Sequence, residues 1–389
     1  MEFCTRIANQ LMLKGIQNRL GKNIVSSPLS INVVLNMVTA GSKGRTLESF
    51  LGLLGSKNVD EINATSRKMM AVTEGDGSSK DVRDGPILTM VNGAWVDRKF
   101  PLVDKYKEHI LKGIFKGAVN IVDFEAKANQ VVDEINSWAS TASRGLIKNI
   151  LQHESIFEDT ILILANGLYF KGIWGSCYKF DARRTEKRKF YLLNGSTVSV
   201  PFMTSSENYY CGSFDGFKVL KIPYQCCQAN NFSMYFFLPD EQDGLQDLLV
   251  KFDSNSGFLN KEYFELKEMT LNEFWIPKFK FSFGFDVLKV MDDMGESLSL
   301  NPRDLSEMIH NRGDAPIFIS KVFQKAYIEV NEKGTEAAAI TGIAYRLLCA
   351  RICPKISFVA DHPFVFMIRE EESGLVLFTG TVTNPLQEG

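Results

Sequence analysis

The side chains that most often do chemistry are sparse and scattered in this sequence. The four histidines, His109, His153, His310 and His362, stand far from one another and from any cysteine at metal-ligand spacing, which argues against a zinc site. No Gly-x-Ser-x-Gly elbow, His-Glu-x-x-His pair, Walker loop or dinucleotide fingerprint occurs. Gly41-Ser-Lys-Gly44 lacks the spacing to cradle a phosphate. Asp361-His362 has the composition of a triad fragment, but adjacent residues on a strand face opposite ways, so a structural histidine beside Pro363 is the better reading. The seven cysteines, Cys4, Cys177, Cys211, Cys226, Cys227, Cys349 and Cys353, are odd in number and lack Cys-x-x-Cys spacing. They read as free thiols in a reducing compartment. No enzyme and no cofactor are expected from this inventory.

The balance of charge excludes further classes. Lys and Arg total 44 against 46 for Asp and Glu, a formal net charge of −2, so no positive field exists to draw in a nucleic acid. Apolar residues are 45% and charged residues 23% of the 389, the proportions of a globular protein with a large core. The most apolar run, from Ile161 to Phe170, is too short to span a bilayer. The N-terminus has no basic start followed by an apolar core and a cleavage site. The expectation is a cytoplasmic protein, with export by an unconventional route left open, and the sequons at Asn63, Asn194 and Asn231 are chance matches.

Helical patterns dominate the first 150 residues. Phe3 to Leu20, Leu29 to Ala40, Thr46 to Leu54, Val59 to Val72 and Lys127 to Ile150 carry apolar residues at helical spacing. Ser27 has the chemistry of an N-cap with Pro28 at the first helical position, and Gly41 stands where a helix stops. The polar stretch from Thr73 to Pro86 reads as a surface loop. Strand patterns follow: Ile161 to Phe170, a hairpin from Arg188 to Met203 around Asn194-Gly195, then Phe217 to Tyr224, Phe232 to Leu238, Phe274 to Phe285 and Ala326 to Val330. Phe364 to Thr383 reads as a closing hairpin turned at Glu372-Ser-Gly374. Helices early and strands late, without βαβ alternation, predict an α+β fold. Length alone suggests two or three domains.

One segment does not read as an ordinary connection. About 25 residues separate the strand ending near Val330 from the next near Ile356, where connections of about 4 to 6 are usual. Its first part has a period of two. Thr335, Ala337, Ala339 and Thr341 form a small uncharged face, and Glu336, Ala338, Ile340 and Gly342 the other. A strand able to slide into a sheet over a packed core needs such a face, because bulk would clash and a buried charge would oppose entry. The same letters also suit a short helix, and residue chemistry alone does not choose between them.

Glu332-Lys-Gly-Thr-Glu-Ala-Ala-Ala339 resembles the hinge of the inhibitory serpins, the serine-protease-inhibitor family. The likeness runs over essentially the whole chain. Asn23-Ile-Val-Ser-Ser-Pro-Leu-Ser-Ile31 resembles the start of the family's central buried helix, and Asn166-Gly-Leu-Tyr-Phe-Lys-Gly-Ile-Trp174 its third main-sheet strand. Phe358-Val-Ala-Asp-His-Pro-Phe364 and the stretch from Gly374 to Pro385 resemble its C-terminal hairpin. The wording is most like the plant branch. The resemblance implies one domain over residues 1–389 with three β-sheets, about nine helices and a reactive-centre loop at about 332–355, displacing the length prior.

It also implies a mechanism and a set of roles. A serpin offers a bait bond, is attacked, and inserts the freed loop into its main sheet before the acyl-enzyme hydrolyses, trapping the protease. The hinge would be Glu332, Gly334, Thr335, Glu336, Ala337, Ala338 and Ala339. Counting the family's loop length from Glu332 places the bait at Leu348–Cys349; counting back from Phe358 gives Leu347, and Arg346 and Arg351 flank both. Leucine suits a chymotrypsin-like serine protease or a papain-like cysteine protease; trypsin-like targets are the runner-up. Ser27, Ser30 and Asn166 match the polar cluster where the sheet parts, with Gln324 standing where many relatives have a histidine. Gln can hydrogen-bond without becoming charged. Glu332 is expected to pair with Lys278, with Trp174 packed nearby. The resemblance implies a monomer whose partner is its target protease; a storage, carrier or chaperone-like protein of the same fold is the alternative.

Overall fold

A helix that is apolar on every side has to be buried on every side, and the stretch after Ser27 is such a helix. In the computed structural model, which describes residues 1–17, 21–74, 86–157, 159–225, 230–254, 264–296, 302–310, 319–335 and 356–388, it forms α2 (Pro28–Ala40), and every residue from Pro28 to Thr39 is buried. Ser27 caps it by accepting a hydrogen bond from the Ser30 amide at 3.0 Å. Helix α1 (Glu2–Gln17) and strand β1 (Ile24–Ser26) precede it; α3 (Gly44–Leu54) and α4 (Val59–Glu74) follow.

Three sheets surround this axis. The six-stranded sheet contains β2 (Ile87–Asp97), β3 (Ala118–Val122), β4 (Leu162–Ile173), β12 (Phe279–Asp286), β13 (Lys321–Asn331) and β14 (Gly334–Thr335), in the order β12-β13-β14-β4-β2-β3. The four-stranded sheet contains β5 (Glu186–Tyr191), β6 (Thr197–Met203), β11 (Phe274–Pro277) and β15 (Phe358–Val359). The seven-stranded antiparallel sheet runs β1, β17 (Val376–Val382), β16 (Phe364–Glu370), β9 (Phe232–Pro239), β8 (Phe217–Pro223), β7 (Asn208–Phe214) and β10 (Lys267–Thr270). The remaining helices are α5 (Phe124–Ala142), α6 (Leu245–Ser254), α7 (Val287–Asp293) and a π-wound helix, Tyr106–Ile114, in which the Phe115 amide reaches back to the Ile110 carbonyl at 3.1 Å. The architecture is α+β with three sheets. The described residues hold eight helices besides short 3₁₀ turns, against the nine or so implied by the resemblance.

The apolar residues sort into three clusters. The largest lies between α2 and the sheets, with Leu29, Val33, Leu164, Leu168, Phe281, Ile328 and Phe366 among its members. A second sits where α1 and α6 cover the seven-stranded sheet, through Met12, Leu13, Leu248 and Phe237. The third fixes α5 across the outer face of the six-stranded sheet: Val131, Val132, Ile135 and Ala139 pack on Trp95, Ile163 and Ala165.

Two expectations about element limits are corrected. The helix expected from Lys127 to Ile150 starts earlier, capped by Asp123, and ends at Ala142. Arg144 and Gly145 there take left-handed backbone conformations and turn the chain. The apolar pattern continues because Ile147, Ile150 and Leu151 of the following linker fill the same cluster. The single strand expected from Phe274 to Phe285 is two strands in two sheets, broken at Pro277, where Lys278 donates its amide to the Pro201 carbonyl instead. Asp361 and His362 also differ from expectation. They lie between β15 and β16 rather than on a strand, and so they touch: the imidazole Nδ1 is 2.8 Å from the Asp361 carboxylate and Nε2 2.9 Å from the Pro239 carbonyl. The buried histidine joins β16 to the end of β9, a structural role.

Gly380 tests the pairing of β1 with β17. It lies opposite Val25, and a Cβ there would stand 2.1 Å from the Ile24 carbonyl oxygen and 2.7 Å from the Phe366 ring. Gly380→Ala is expected to destabilise the protein by roughly 1–3 kcal/mol, the usual range for overpacking. Thermal melting of the variant checks this; an unchanged midpoint would mean that β1 is held less closely than the contacts imply.

Candidate functional site

Strands β4 and β13 are parallel neighbours, hydrogen-bonded from Ile163 opposite Lys321 to Leu168 opposite Ala326. Above that register they diverge, and β14 enters between them. It runs antiparallel to both: Thr335 lies opposite Val330 on one side and Gly172 on the other. A closed seam with a wedge of chain at its upper end is therefore the geometry in which Gly334 and Thr335 of the predicted hinge lie.

Each part of the wedge has a local cause. Gly334 has a φ of +140° and a Cβ there would stand 2.0 Å from the Gly172 carbonyl oxygen, so both the backbone and the space demand glycine. Glu332 is held by Lys278, whose Nζ lies 2.9 Å from Oε2, and by the Thr185 hydroxyl, which donates to Oε1 at 2.7 Å. Burial pushes the Glu332 carboxyl up. The hydrogen bonds from Lys278 and Thr185, with a backbone bond and the Lys278 charge, outweigh it and hold the group below the usual carboxylate range. Trp174, fully buried, donates its amide to the Lys333 carbonyl at 3.0 Å and its indole N–H to the Asn331 carbonyl at 2.9 Å. Thr335 is 2% exposed and shares a hydrogen bond of 2.8 Å with the phenol of Tyr224. Burial drives that phenol far above the usual tyrosine range, against a small opposing effect of Thr335, so it remains a neutral hydroxyl.

Lower in the seam the predicted polar residues come together in part. Asn166 and Gln324 lie opposite each other in the β4–β13 register. Asn166 donates to Asn92 Oδ1 at 2.7 Å, and Asn92 in turn donates to the Phe115 carbonyl at 2.8 Å. Among the described residues, the Asn166 Oδ1, the Ser30 hydroxyl and both amide atoms of the fully buried Gln324 have no hydrogen-bond partner. Ser27 is occupied as the cap of α2. Leu347, Leu348, Cys349, Arg346, Arg351, Glu336, Ala337, Ala338 and Ala339 lie outside the described residues.

Sequence reading missed Tyr224, Thr185 and Asn92. Tyr224 follows a strand whose alternation marks it only as buried, and Asn92 lies on β2, a strand the helical pattern of the first 150 residues concealed. It also missed Lys325. This residue stands opposite Gly167 across the seam and donates from Nζ to the Lys148 and Asn149 carbonyls of the linker after α5, at 2.8 and 3.1 Å. Burial holds its ammonium below the usual lysine range. Ile147 of the same linker fills the space above Gly167, so the linker sits astride the seam.

Among the described residues no cluster of three or more His, Cys, Asp or Glu is placed to hold a metal ion, and no helix is long and apolar enough to cross a membrane. A family profile, Serpin (serine protease inhibitor), matches residues 1–385. Serpin-ZX of Arabidopsis thaliana is 42% identical over 368 residues, 94% of this chain and 92% of that protein. A protein of the same organism named probable non-inhibitory serpin-Z5 is 40% identical over 93% of this chain and 79% of its own length. The solved structure of Arabidopsis AtSerpin1 in its native stressed conformation superposes over 100% of both chains with a TM-score of 0.84 and 39% identity. The chain belongs to the serpin family, a superfamily of protease inhibitors, and the relatives it resembles here are plant serpins.

Two outcomes follow from the geometry. Gln324→Met keeps the side-chain length and removes two unpaired buried polar atoms, so it is expected to raise stability by roughly 1–3 kcal/mol; a lower melting temperature would show that Gln324 is satisfied. For Glu332 the sign is that of a depressed carboxylate. Its contribution is complete above the ordinary value and is lost as pH falls through the lower folded value. Lys278→Met removes two of the influences holding that carboxyl down. The variant is expected to melt lower than the parent at neutral pH, with the deficit shrinking as pH falls below the ordinary carboxylate value; a deficit that does not change with pH would exclude a role for the pair.

Proposed function

We propose that this serpin is a single-use protease trap, acting as a one-domain monomer without a cofactor, in which residues 336–355 carry the bait and the strand begun by Gly334 and Thr335 extends down the seam. The observation that carries the reading is β14 itself. Its two residues already pair antiparallel with both β13 and β4, and Thr335 is buried in the core. Continuing the same register assigns places to the next residues of the small face. Ala337 would lie between Ile328 and Phe170, and Ala339 between Ala326 and Leu168. Thr341 would then arrive between Gln324 and Asn166, where a hydroxyl would meet amide atoms that have no partner among the described residues. A chain from Thr335 to Leu348 spans about 14 residues, or roughly 45 Å at about 3.3 Å per residue, enough to carry an attached protease from one end of the sheet to the other.

The serpin contributes no catalytic group on this reading. The protease supplies its own nucleophile, its acyl bond to the bait carbonyl forms as the peptide bond to the next residue breaks, and strand insertion outpaces hydrolysis. The native state is accordingly held kinetically rather than at its lowest free energy. Leu348, with Leu347 as the alternative, favours a chymotrypsin-like serine or papain-like cysteine protease, and Arg346 or Arg351 would favour a trypsin-like one. The competing reading, a serpin fold without inhibition, is suggested by the relative named probable non-inhibitory. The small uncharged inward face from Thr335 to Thr341 supports inhibition.

The test is to incubate the protein with a chymotrypsin-like, a papain-like and a trypsin-like enzyme. A complex stable to boiling in detergent is expected at near one-to-one stoichiometry, with the new C-terminus at Leu348 or Leu347 by mass spectrometry. Thr335→Arg places a charge and bulk where Thr335 is buried, and is expected to be cut without retaining the protease. Cleavage of the parent without any retained complex would establish the non-inhibitory reading.

A further inference from the structure

The hydroxyl of Tyr224 has a place in the hinge that neither the fold nor the bait requires. Tyr224 directly follows β8 of the seven-stranded sheet, yet its phenol reaches the six-stranded sheet and bonds Thr335 at 2.8 Å. Three contacts fix its ring. Trp174 stacks on it at 4.8 Å with 14° between planes, Phe170 meets it edge-on at 4.9 Å, and Gly172 is bare where a Cβ would stand 2.7 Å from the ring. Backbone bonds pin both sides, from the Tyr224 amide to the Phe232 carbonyl at 3.0 Å and from the Gln225 amide to the Ile173 carbonyl at 2.7 Å. An immobile buried hydroxyl thus faces the first inserted side chain.

We propose that Tyr224 is a positioning residue: a catch that holds Thr335 in the sheet before any protease arrives and so sets how far insertion has begun. The chemistry gives it a definite sign. A threonine hydroxyl buried without a partner is costly, whereas an apolar side chain of the same shape is not. With the phenol present, docking of Thr335 satisfies both groups. With the phenol removed, the hydroxyl regains a partner by leaving the seam for water. Beyond the catch, β4 and β13 pair directly with each other from Leu168 and Ala326 downward. The inference rests on the trap reading for its consequence, but not for the catch itself.

The experiment is a double-mutant cycle read by hydrogen exchange around Gly334 and Thr335, which needs no protease. Tyr224→Phe is expected to speed exchange there by roughly tenfold or more, the shift implied by one unsatisfied buried hydroxyl. Thr335→Val leaves the phenol, among the described residues, Met234 Sδ at 3.5 Å and is expected to loosen the hinge to a smaller degree. The two together are expected to restore protection close to that of the parent, because neither hydroxyl is then left without the other. A purely structural tyrosine would give singles that add. Additive loosening, or no loosening in either single, overturns the catch. If a protease is trapped, Tyr224→Phe should also raise the number of inhibitor molecules consumed per enzyme, with recovery in the double variant. If exchange behaves as stated but no protease is ever retained, the trap reading fails and the catch stands.

Discussion

The structure turns on one ladder of hydrogen bonds, the parallel pairing of β4 with β13. Parallel pairs are slightly weaker per residue than antiparallel ones. A strand entering between two parallel neighbours and running against them exchanges one parallel ladder for two antiparallel ones. The wedge at Gly334 and Thr335 has already made that exchange at the top of the sheet. Below it the exchange has not been made, and the same strands close on each other. The molecule therefore presents, in one sheet, both the pairing it has and the pairing the trap reading requires.

What opposes further exchange is also local. The linker after α5 crosses the outer face of the seam, tied to β13 by Lys325 and seated on β4 by Ile147 above Gly167. On the inner face, Gln324, Asn166 and Ser30 hold buried polar atoms that have no partner among the described residues. Such groups weaken the closed arrangement by their desolvation. The tied linker restrains the same arrangement from outside.

Much of this was legible in the residues, and the exceptions have physical reasons. The central helix was readable from its cap and its apolar body, and the β5–β6 hairpin from Asn194-Gly195; the period-two pattern after Gly334 left strand and helix open, and beyond Thr335 it falls outside the described residues. The split between β11 and β12 was not. Both halves carry the same alternation, and the break depends on which sheet each half finds. The end of α5 was overrun because its linker buries apolar residues in the same cluster. At the site, Glu332, Lys278 and Trp174 were accessible through the resemblance. Tyr224, Thr185 and Lys325 act through contacts with sequence neighbours more than a hundred residues away or with backbone carbonyls, and no periodicity encodes either.

Family membership does not by itself decide between a trap and an inert serpin, because a relative 40% identical carries a non-inhibitory name. The decision lies in volumes along the inner face of one prospective strand. Where that face is already occupied, Thr335 sits against the Tyr224 phenol beside a glycine that has no side chain to spare. The next inward positions would face Ile328 with Phe170, then Ala326 with Leu168, all in the packed core. Interiors at native density tolerate a methyl there and resist much more. On the trap reading, Ala337 and Ala339 would have to meet that limit, and Thr335 is the inward residue that already does.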